Sequence, residues 1–268
     1  MVASFRAPSK VLRRLKLAPL AARKLKDWPR FMYNYALGLV PNEPYVFRSG
    51  AQLQIGRGVD HVPIIEVFLR EEYGRIADGA IILDLGANIG TFSVYAASSA
   101  RDVRIWAYEP LADFHALLAK NVEINRLGST IRCFNCAVGA NTGRRQLVVE
   151  NAAFSFPTLL AAEGIRAGRR VEVECVALIE ILDSNSLKHV DLVKMDCEGS
   201  EYEILYGAPD TCFERIREIR MEYHNLPAER CNVRDLMAFL RERNYTITMV
   251  SADAASRPSG NLWARKHA

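Results

Sequence analysis

The sequence lacks any apolar run of the roughly 18 residues that a membrane-spanning helix needs. It also lacks a long apolar segment behind its basic start, so we expect no secretory signal. Half of the 268 residues are hydrophobic and a quarter are charged, which provides for a sizeable core and argues against global disorder. This composition suits one large domain, or one domain with an appendage.

Paired cysteine motifs are nearly absent. Of the six cysteines, only Cys133 and Cys136 form a CxxC, and neither a second pair nor a following helix accompanies them. This pattern supports neither a zinc site nor a thioredoxin-type site, and packed core thiols explain it more simply. Free thiols in apolar, strand-like surroundings are typical of a reduced compartment, so we expect a cytoplasmic protein.

The chain lacks an excess of positive charge outside its first 30 residues. Residues 1–30 contain nine Lys or Arg and one acid, whereas the remainder has a net charge of −4. Enzymes that act on nucleic acid spread basic residues over the folded body, so we expect no nucleic-acid partner. We divide the chain into a basic N-terminal arm or cap, 1–55, and a main domain, 56–268. The arm is either a solvated helix or frayed tail, or it associates peripherally with an anionic membrane or a partner.

Strand-like and helix-like segments alternate from residue 81 onward. The predicted strands are 81–86, 103–109, 130–139, 191–199, 217–224 and 245–250, with 261–266 as a last edge strand. The predicted helices are 89–100, 111–127 and 233–244, with one from His61 and a short one from Ser200. This alternation predicts an α/β fold with a doubly wound, mostly parallel sheet and helices on both faces. Ligands of such sheets bind at the carboxyl ends of the strands.

The first of these strands ends in Asp84, Gly86, Asn88 and Gly90. The glycines allow the backbone to turn sharply and approach a ligand, although a tight strand-to-helix turn alone would explain them. Their G-x-x-x-G spacing differs from the G-x-G-x-x-G that holds a dinucleotide pyrophosphate. Glu109, at the end of the next strand, is placed to accept both hydroxyls of a ribose, and a helix N-terminal acid is the alternative. Together these residues indicate a ligand with a ribose and no pyrophosphate.

Charged residues interrupt the strand 191–199. Lys194, Asp196 and Glu198 would share one face, because side chains alternate along a strand. Either they lie at an open strand end, or Lys194 forms an internal salt bridge with an acid. Ser200 and Glu203 have the spacing of a capping box, which gives Glu203 a structural role and leaves Glu201 open.

Glu222 and His224 lie two residues apart near the end of the strand 217–224. If that strand lies beside 191–199, they converge with Asp196. A carboxylate or imidazole there could take a proton from a hydroxyl, and we assign the general base to His224, whose unperturbed pKa of about 6.5 lies nearest neutrality. The same three residues could instead hold a divalent metal, or His224 could be a buried histidine without a chemical role.

The ordered motifs resemble the FkbM family of S-adenosylmethionine-dependent methyltransferases. The matching segments, within roughly residues 60–250, are LDLGANIGTFS, AYEP with LLAKNVEIN, the AVG of CAVGANTG, DLVKMDCEGSEYEILYGA and EYH. The resemblance implies a class I, Rossmann-like methyltransferase fold with a seven-stranded sheet. It assigns the methionine end of the cofactor to the first motif, its ribose to Glu109 and its adenine border to Ala137 and Val138. The first-motif residues are Asp84, Gly86, Asn88 and Gly90, and Asp196 would lie beside the same pocket.

The resemblance is weakest over 1–55 and 151–170, where we expect acceptor preference to lie. We therefore predict methyl transfer from S-adenosylmethionine to a hydroxyl of a sugar, glycan or natural product, with N-methylation left open. One rival is an NAD-dependent enzyme, which the G-x-x-x-G spacing disfavours. The other is a nucleoside-binding module of methyltransferase fold without catalysis.

Overall fold

The computed structural model of the chain describes residues 16–56, 61–150, 168–252, 254 and 257–266. The first part of the basic arm and nearly all of the segment 151–170 lie outside these residues. Within them, no helix combines the length and the apolar character that crossing a bilayer requires.

The described chain starts with two helices and a short ribbon, followed by alternating strands and helices. The first elements are α1 (Ala18–Lys24), α2 (Trp28–Leu37), β1 (Tyr45–Val46), β2 (Gln52–Leu53) and α3 (Val62–Ile64), which continues into a π-helical turn, Ile65–Leu69. Next come β3 (Ile81–Leu85), α4 (Thr91–Ser99), β4 (Arg104–Tyr108), α5 (Ala112–Ile124), β5 (Ile131–Phe134), β6 (Ala137–Gly139), β7 (Gly143–Glu150) and β8 (Gly168–Ala177). The last are α6 (Leu178–Ser184), β9 (Leu192–Met195), α7 (Glu201–Gly207), α8 (Asp210–Arg215), β10 (Glu218–His224), α9 (Val233–Glu242), β11 (Tyr245–Val250) and β12 (Ser259–Lys266).

The main sheet has seven strands in the order β11-β12-β10-β9-β3-β4-β5. The pairs from β10 through β5 are parallel, and β12 is antiparallel to both of its neighbours. The predicted α/β fold with a mostly parallel sheet is confirmed. Because β3 lies between β9 and β4, the carboxyl ends of these three strands meet at the centre of one sheet edge.

The expected position of the last strand is wrong. Residues 261–266 do not form an edge, because β12 inserts between β10 and β11 and hydrogen-bonds to both. Its alternate residues Leu262 and Ala264 are fully buried, as an interior position requires. The sequence of a strand near the end of the chain looks similar whether the strand lies in the interior of a sheet or at its edge.

The predicted strand 130–139 is two strands in two sheets. The chain leaves the main sheet after Phe134, and the Asn135 amide donates to the carbonyls of Glu109 and Pro110 at 3.0 and 2.9 Å. The next strand, β6, then pairs in parallel with β8. With β7 antiparallel to β8, this makes a three-stranded sheet, which packs against Leu111 and Phe114.

The helix predicted from His61 is short and ends in an irregular turn. The α-helical part stops at Ile64, and the π-helical turn ends at Leu69. Its residues Ile65, Val67, Phe68 and Leu69 are all buried, so the wider turn buries more than one stripe of the helix. Single π-helical turns occur frequently at functional sites.

Two apolar cores lie on the two faces of the main sheet. Side chains alternate along β3, so that Ile82 packs with α4 and α5 while Leu83 packs with the C-terminal helices. This confirms that helices cover both faces.

Residues 17–55 belong to the first of these cores. Leu25, Phe31 and Phe47 are essentially without solvent exposure and pack with Phe68 and Tyr95 of the main domain. The Asn121 and Asn125 side chains of α5 accept from, and donate to, the backbone of residues 52 and 54 at 2.7–3.0 Å. The described part of the predicted arm is thus a cap that shares its core with the domain.

We expect Phe31→Ala to lower the free energy of unfolding by about 3–5 kcal/mol, because it leaves a cavity where the ring contacts Tyr45 and His61 edge-on. Tyr33→Ala, on the exposed side of the same helix, should change it by less than about 0.5 kcal/mol. Urea unfolding of both variants measures the difference. Equal, small effects would show that the cap does not contribute to the stability of the domain.

Candidate functional site

A cavity opens at the carboxyl ends of β3, β4 and β9, the position expected for this fold. Its lining comes from the turns that follow these strands and from the small sheet. The lining residues are Gly86, Asn88, Tyr108, Glu109, Pro110, Phe114, Ala137, Val138, Leu147, Asp196, Cys197, Glu198 and Ser200. Six of the predicted site residues are therefore brought together here, and Asp84, Gly90, Glu222 and His224 are not part of the lining.

The turn after β3 depends on glycine for two separate reasons. Gly86 has a φ of 73°, and a Cβ there would lie 1.8 Å from the backbone oxygen of Asp196. Gly90 has a φ of 82°, and its Cβ would lie 2.5 Å from Leu118 of α5. Gly86 therefore permits the β3 and β9 ends to approach each other, whereas Gly90 permits α4 and α5 to pack.

Asp84 lies beneath this turn in a buried ion pair. Its Oδ1 is 3.2 Å from Lys194 Nζ, and its Oδ2 accepts from the Ser93 hydroxyl at 2.7 Å. Lys194 also donates to the Gly86 carbonyl at 2.8 Å. Burial lowers the pKa of Lys194, but the charges of Asp84 and Asp196 outweigh it and leave that pKa raised. The alternative interpretation of Lys194 as part of an internal salt bridge is confirmed.

Glu109 is a buried carboxylate at the mouth of the same turn. Its two oxygens accept from the backbone N–H groups of Asn88 and Leu111, both at 2.9 Å. Burial raises the pKa of Glu109 to about 7, against the lowering effect of these hydrogen bonds. Each oxygen keeps a second lone pair, so the carboxylate can still accept hydroxyl groups from a ligand.

The loop after β9 is capped by Glu201 and not by the predicted capping box. Glu201 Oε1 accepts from Cys197 N at 2.8 Å and Oε2 from Gly199 N at 2.9 Å. Ser200 makes no capping hydrogen bond to the start of α7. The strand also ends earlier than predicted, and Glu198 has a φ of 51°, so strand alternation does not extend to it. Glu201 and Glu203 are both acids in the first turn of α7. Only the fold of the loop determines which of the two caps it.

His224 lies between two of these carboxylates. Its Nε2 is 3.3 Å from Glu198 and its Nδ1 is 3.2 Å from Glu201. Burial lowers the pKa of His224, but the hydrogen bond and charge of Glu201, with the charges of Glu198 and Asp196, raise it to about 10. The assignment of the general base to His224 rested on its unperturbed pKa, and this environment raises that pKa because its partners favour the imidazolium.

The carboxylates around His224 outnumber the cations. Burial and then the charge of Asp196 raise the pKa of Glu198 to about 8 and that of Glu222 to about 7. Burial and then Glu222 raise the pKa of Glu66, on the π-helical turn, to about 8. Glu66 is a member of this group that the sequence did not indicate, since its spacing suggested an ordinary amphipathic helix.

Two buried oxygen atoms in the cavity wall have no hydrogen-bond partner among the described residues. These are Asp196 Oδ1 and Ser200 Oγ. Burying a polar group without a partner is costly, so both side chains are candidates for contact with the polar groups of a ligand. Asp196, Glu201 and His224 also have ligand atoms within 4.8 Å of one another, a set that could hold a metal ion.

Comparison with known proteins places these features in one family. The family described as "Methyltransferase FkbM domain" matches residues 84–247, which is more than half of the chain. The match includes the end of β3 and the turn after it, Glu109, the β9 loop and β10.

Two similar proteins are methyltransferases by name. The chain is 24% identical over 230 residues to "Methyltransferase sdnD" of Sordaria araneosa, an alignment that covers 75% of this chain and 88% of that protein. It is 26% identical over 213 residues to "31-O-demethyl-FK506 methyltransferase FkbM" of Streptomyces tacrolimicus, covering 68% and 80%.

A solved structure shares the fold. The crystal structure of Methyltransferase FkbM from Methylobacillus flagellatus KT superposes with a TM-score of 0.50 at 17% identity. The alignment covers 96% of this chain and 60% of that one.

We expect Gly86→Ala to disrupt the site, because its Cβ would overlap the Asp196 carbonyl. Gly79→Ala is the matched control: its φ of 74° is nearly the same, but a Cβ there meets nothing within 4 Å. Both variants should lose about 1–2 kcal/mol of unfolding free energy from the left-handed backbone, and Gly86→Ala should lose more. Urea unfolding measures both. Equal losses would mean that β3 and β9 can move apart at Gly86 without a further loss of unfolding free energy.

Proposed function

Because this chain belongs to the FkbM methyltransferase family, it is an S-adenosylmethionine-dependent methyltransferase, and we propose that it methylates a hydroxyl of a sugar, glycan or natural product. The observation that carries the proposal is the position of Asp196, which lines the cavity and whose Oδ1 has no hydrogen-bond partner among the described residues. Transfer to a hydroxyl requires a proton acceptor at the reacting oxygen. The name of the Streptomyces tacrolimicus relative, which specifies a 31-O-demethyl compound, describes transfer to oxygen by that protein.

The cavity residues fit the cofactor. Glu109 would accept the ribose hydroxyls, Ala137 and Val138 would border the adenine, and Gly86 and Asn88 would lie at the methionine end. Ser200 lines the same cavity, and its Oγ, which has no hydrogen-bond partner among the described residues, would serve a polar group of the same ligand. Gly90 and Asp84 would act beneath the cavity, by holding the turn and the helix behind it. The cofactor, when bound, supplies an electrophilic methyl group.

Asp196 suits the role of proton acceptor better than His224. A proton acceptor must be largely deprotonated and must reach the acceptor hydroxyl. The carboxylates beside His224 raise its pKa to about 10, which favours the imidazolium, and His224 does not line the cavity. Asp196 lines it, and burial raises the pKa of its carboxyl, which increases its basicity. His224 would then be a cation that holds Glu198 and Glu201 in place. Glu222 would influence Asp196 through its charge.

A divalent cation is the alternative for the same step. Asp196, Glu201 and His224 have the donor types and the proximity for one, and a cation would relieve the repulsion among the carboxylates. Such an ion would lower the pKa of the acceptor hydroxyl. Coordination would require His224 to lose the proton that its neighbours favour.

We expect the affinity for S-adenosylhomocysteine to fall between pH 8 and pH 6. Ribose hydroxyls donate to the charged form of Glu109, so binding favours that form, and the affinity should decrease about tenfold per pH unit below the pKa of about 7. Calorimetric titration at several pH values measures this. Glu109→Gln should bind more weakly, by about 1.5–3 kcal/mol at high pH, and should lose this part of the pH dependence. An unchanged pH profile in Glu109→Gln would assign the titration to another group.

We expect Asp196→Asn to lower the rate of methyl transfer by about 10²–10⁴, the usual contribution of a general base. The assay is single-turnover transfer of labelled methyl to an acceptor identified by screening hydroxylated compounds. Asp102→Asn is the control, since Asp102 is exposed and asparagine tolerates its φ of 56°. A chelator should leave the wild-type rate unchanged. Loss of the rate in chelator and its recovery with Mg²⁺ or Mn²⁺ would favour the cation instead.

A further inference from the structure

The fully exposed residues of α2 carry no charge, and the partly buried Arg30 is paired with Asp27. The solvent-facing residues of α2 are Pro29, Tyr33, Ala36 and Leu37, and Leu39 and Val40 follow directly after the left-handed Gly38 that ends the helix. No charged residue occurs from 31 to 42. A surface helix normally presents polar and charged residues to water, so this face is built for a different environment.

Large exposed apolar side chains concentrate on this face. Tyr33 is 62% exposed, Leu37 58%, and Leu39 and Val40 are each 43% exposed. Among the described residues, the remaining large apolar side chain of comparable exposure is Val250, on β11. Single exposed apolar residues are ordinary, whereas four within eight positions form a patch. We call Tyr33, Leu37, Leu39 and Val40 the apolar patch.

Exposed basic residues lie close in sequence to the apolar patch. Lys16, Arg23 and Lys26 are exposed on and beside α1, which packs against α2. Residues 16–56 contain six basic and two acidic residues, and 1–15 add four basic residues and no acid. The rest of the protein has a net negative charge. The excess of positive charge is therefore confined to the part of the chain that carries the patch.

We propose that the apolar patch inserts into the surface of an anionic lipid bilayer, with the exposed basic residues on and beside α1 bound to its headgroups. A short helix with an apolar face and adjacent Lys and Arg lies in the interfacial plane of a membrane. Anionic lipid attracts each nearby basic residue, and an apolar side chain adds affinity that salt does not screen. A protein partner would not require positive charge in particular, which is why the lipid surface is favoured. This docking is independent of the acceptor proposed above.

The test is sedimentation of the full chain with vesicles of phosphatidylcholine, alone and mixed with phosphatidylserine, at low and high salt. We expect binding to the mixed vesicles, with a part that survives high salt. Leu37→Ser with Leu39→Ser should weaken it about tenfold or more at both salt concentrations. Arg23→Gln with Lys26→Gln should weaken it about fivefold per charge at low salt. Val250→Ser, the matched exposed control, should bind as wild type.

Two results would overturn the proposal. One is equal binding, or equal absence of binding, for wild type and the leucine variant on mixed vesicles. The other is a wild-type dimer that the leucine variant converts to a monomer in sedimentation equilibrium while vesicle binding is absent, which would make the patch a contact between two copies. Unchanged urea unfolding of each variant ensures that the loss is not one of folding.

Discussion

The buried ion pair of Asp84 and Lys194 holds together the strand ends on which the site depends. Lys194, from β9, reaches both the Asp84 carboxylate and the Gly86 carbonyl, while Asp84 accepts from Ser93 at the start of α4. Removing one partner of a buried pair leaves an uncompensated charge, which costs about 3–5 kcal/mol. The pair therefore fixes β9 to the turn after β3, and the absence of a Cβ at Gly86 allows the two backbones to meet there.

Above the junction, the site concentrates negative charge around one imidazole. Glu198 and Glu201 contact opposite nitrogens of His224, and Asp196 lies beside them. Carboxylates at this separation raise one another's pKa unless a cation intervenes, and the His224 imidazolium is that cation. The same arrangement that makes His224 a poor base keeps neighbouring carboxyls near their titration points at neutral pH. Titration of the cluster is thus a property of the group and not of one residue.

The N-terminal cap connects the site with the surface of the protein. Its backbone is joined to α5 through Asn121 and Asn125, and Asn121 also donates to the Ile89 carbonyl in the turn after β3. The buried side of α2 belongs to the core, and its other side presents the apolar patch. Opposite faces of α2 therefore lie in two environments, the core and the protein surface, because side chains half a turn apart on a helix point in opposite directions.

The sequence by itself determined the alternation of strands and helices, the positions of the strand-end motifs and the confinement of positive charge to the start of the chain. These are local properties: apolar periodicity, glycine at turns and composition do not depend on which strands become neighbours. The tertiary structure alone decided that β12 lies inside the sheet, that the chain leaves the main sheet after Phe134, and that Glu201 and not Glu203 caps the β9 loop. It also decided that Glu198 and Glu201 lie against His224 and raise its pKa, and that Glu66 lies near Glu222. Strand order, loop path and pKa depend on contacts between residues far apart in the chain, and those distances exist only once the chain has folded.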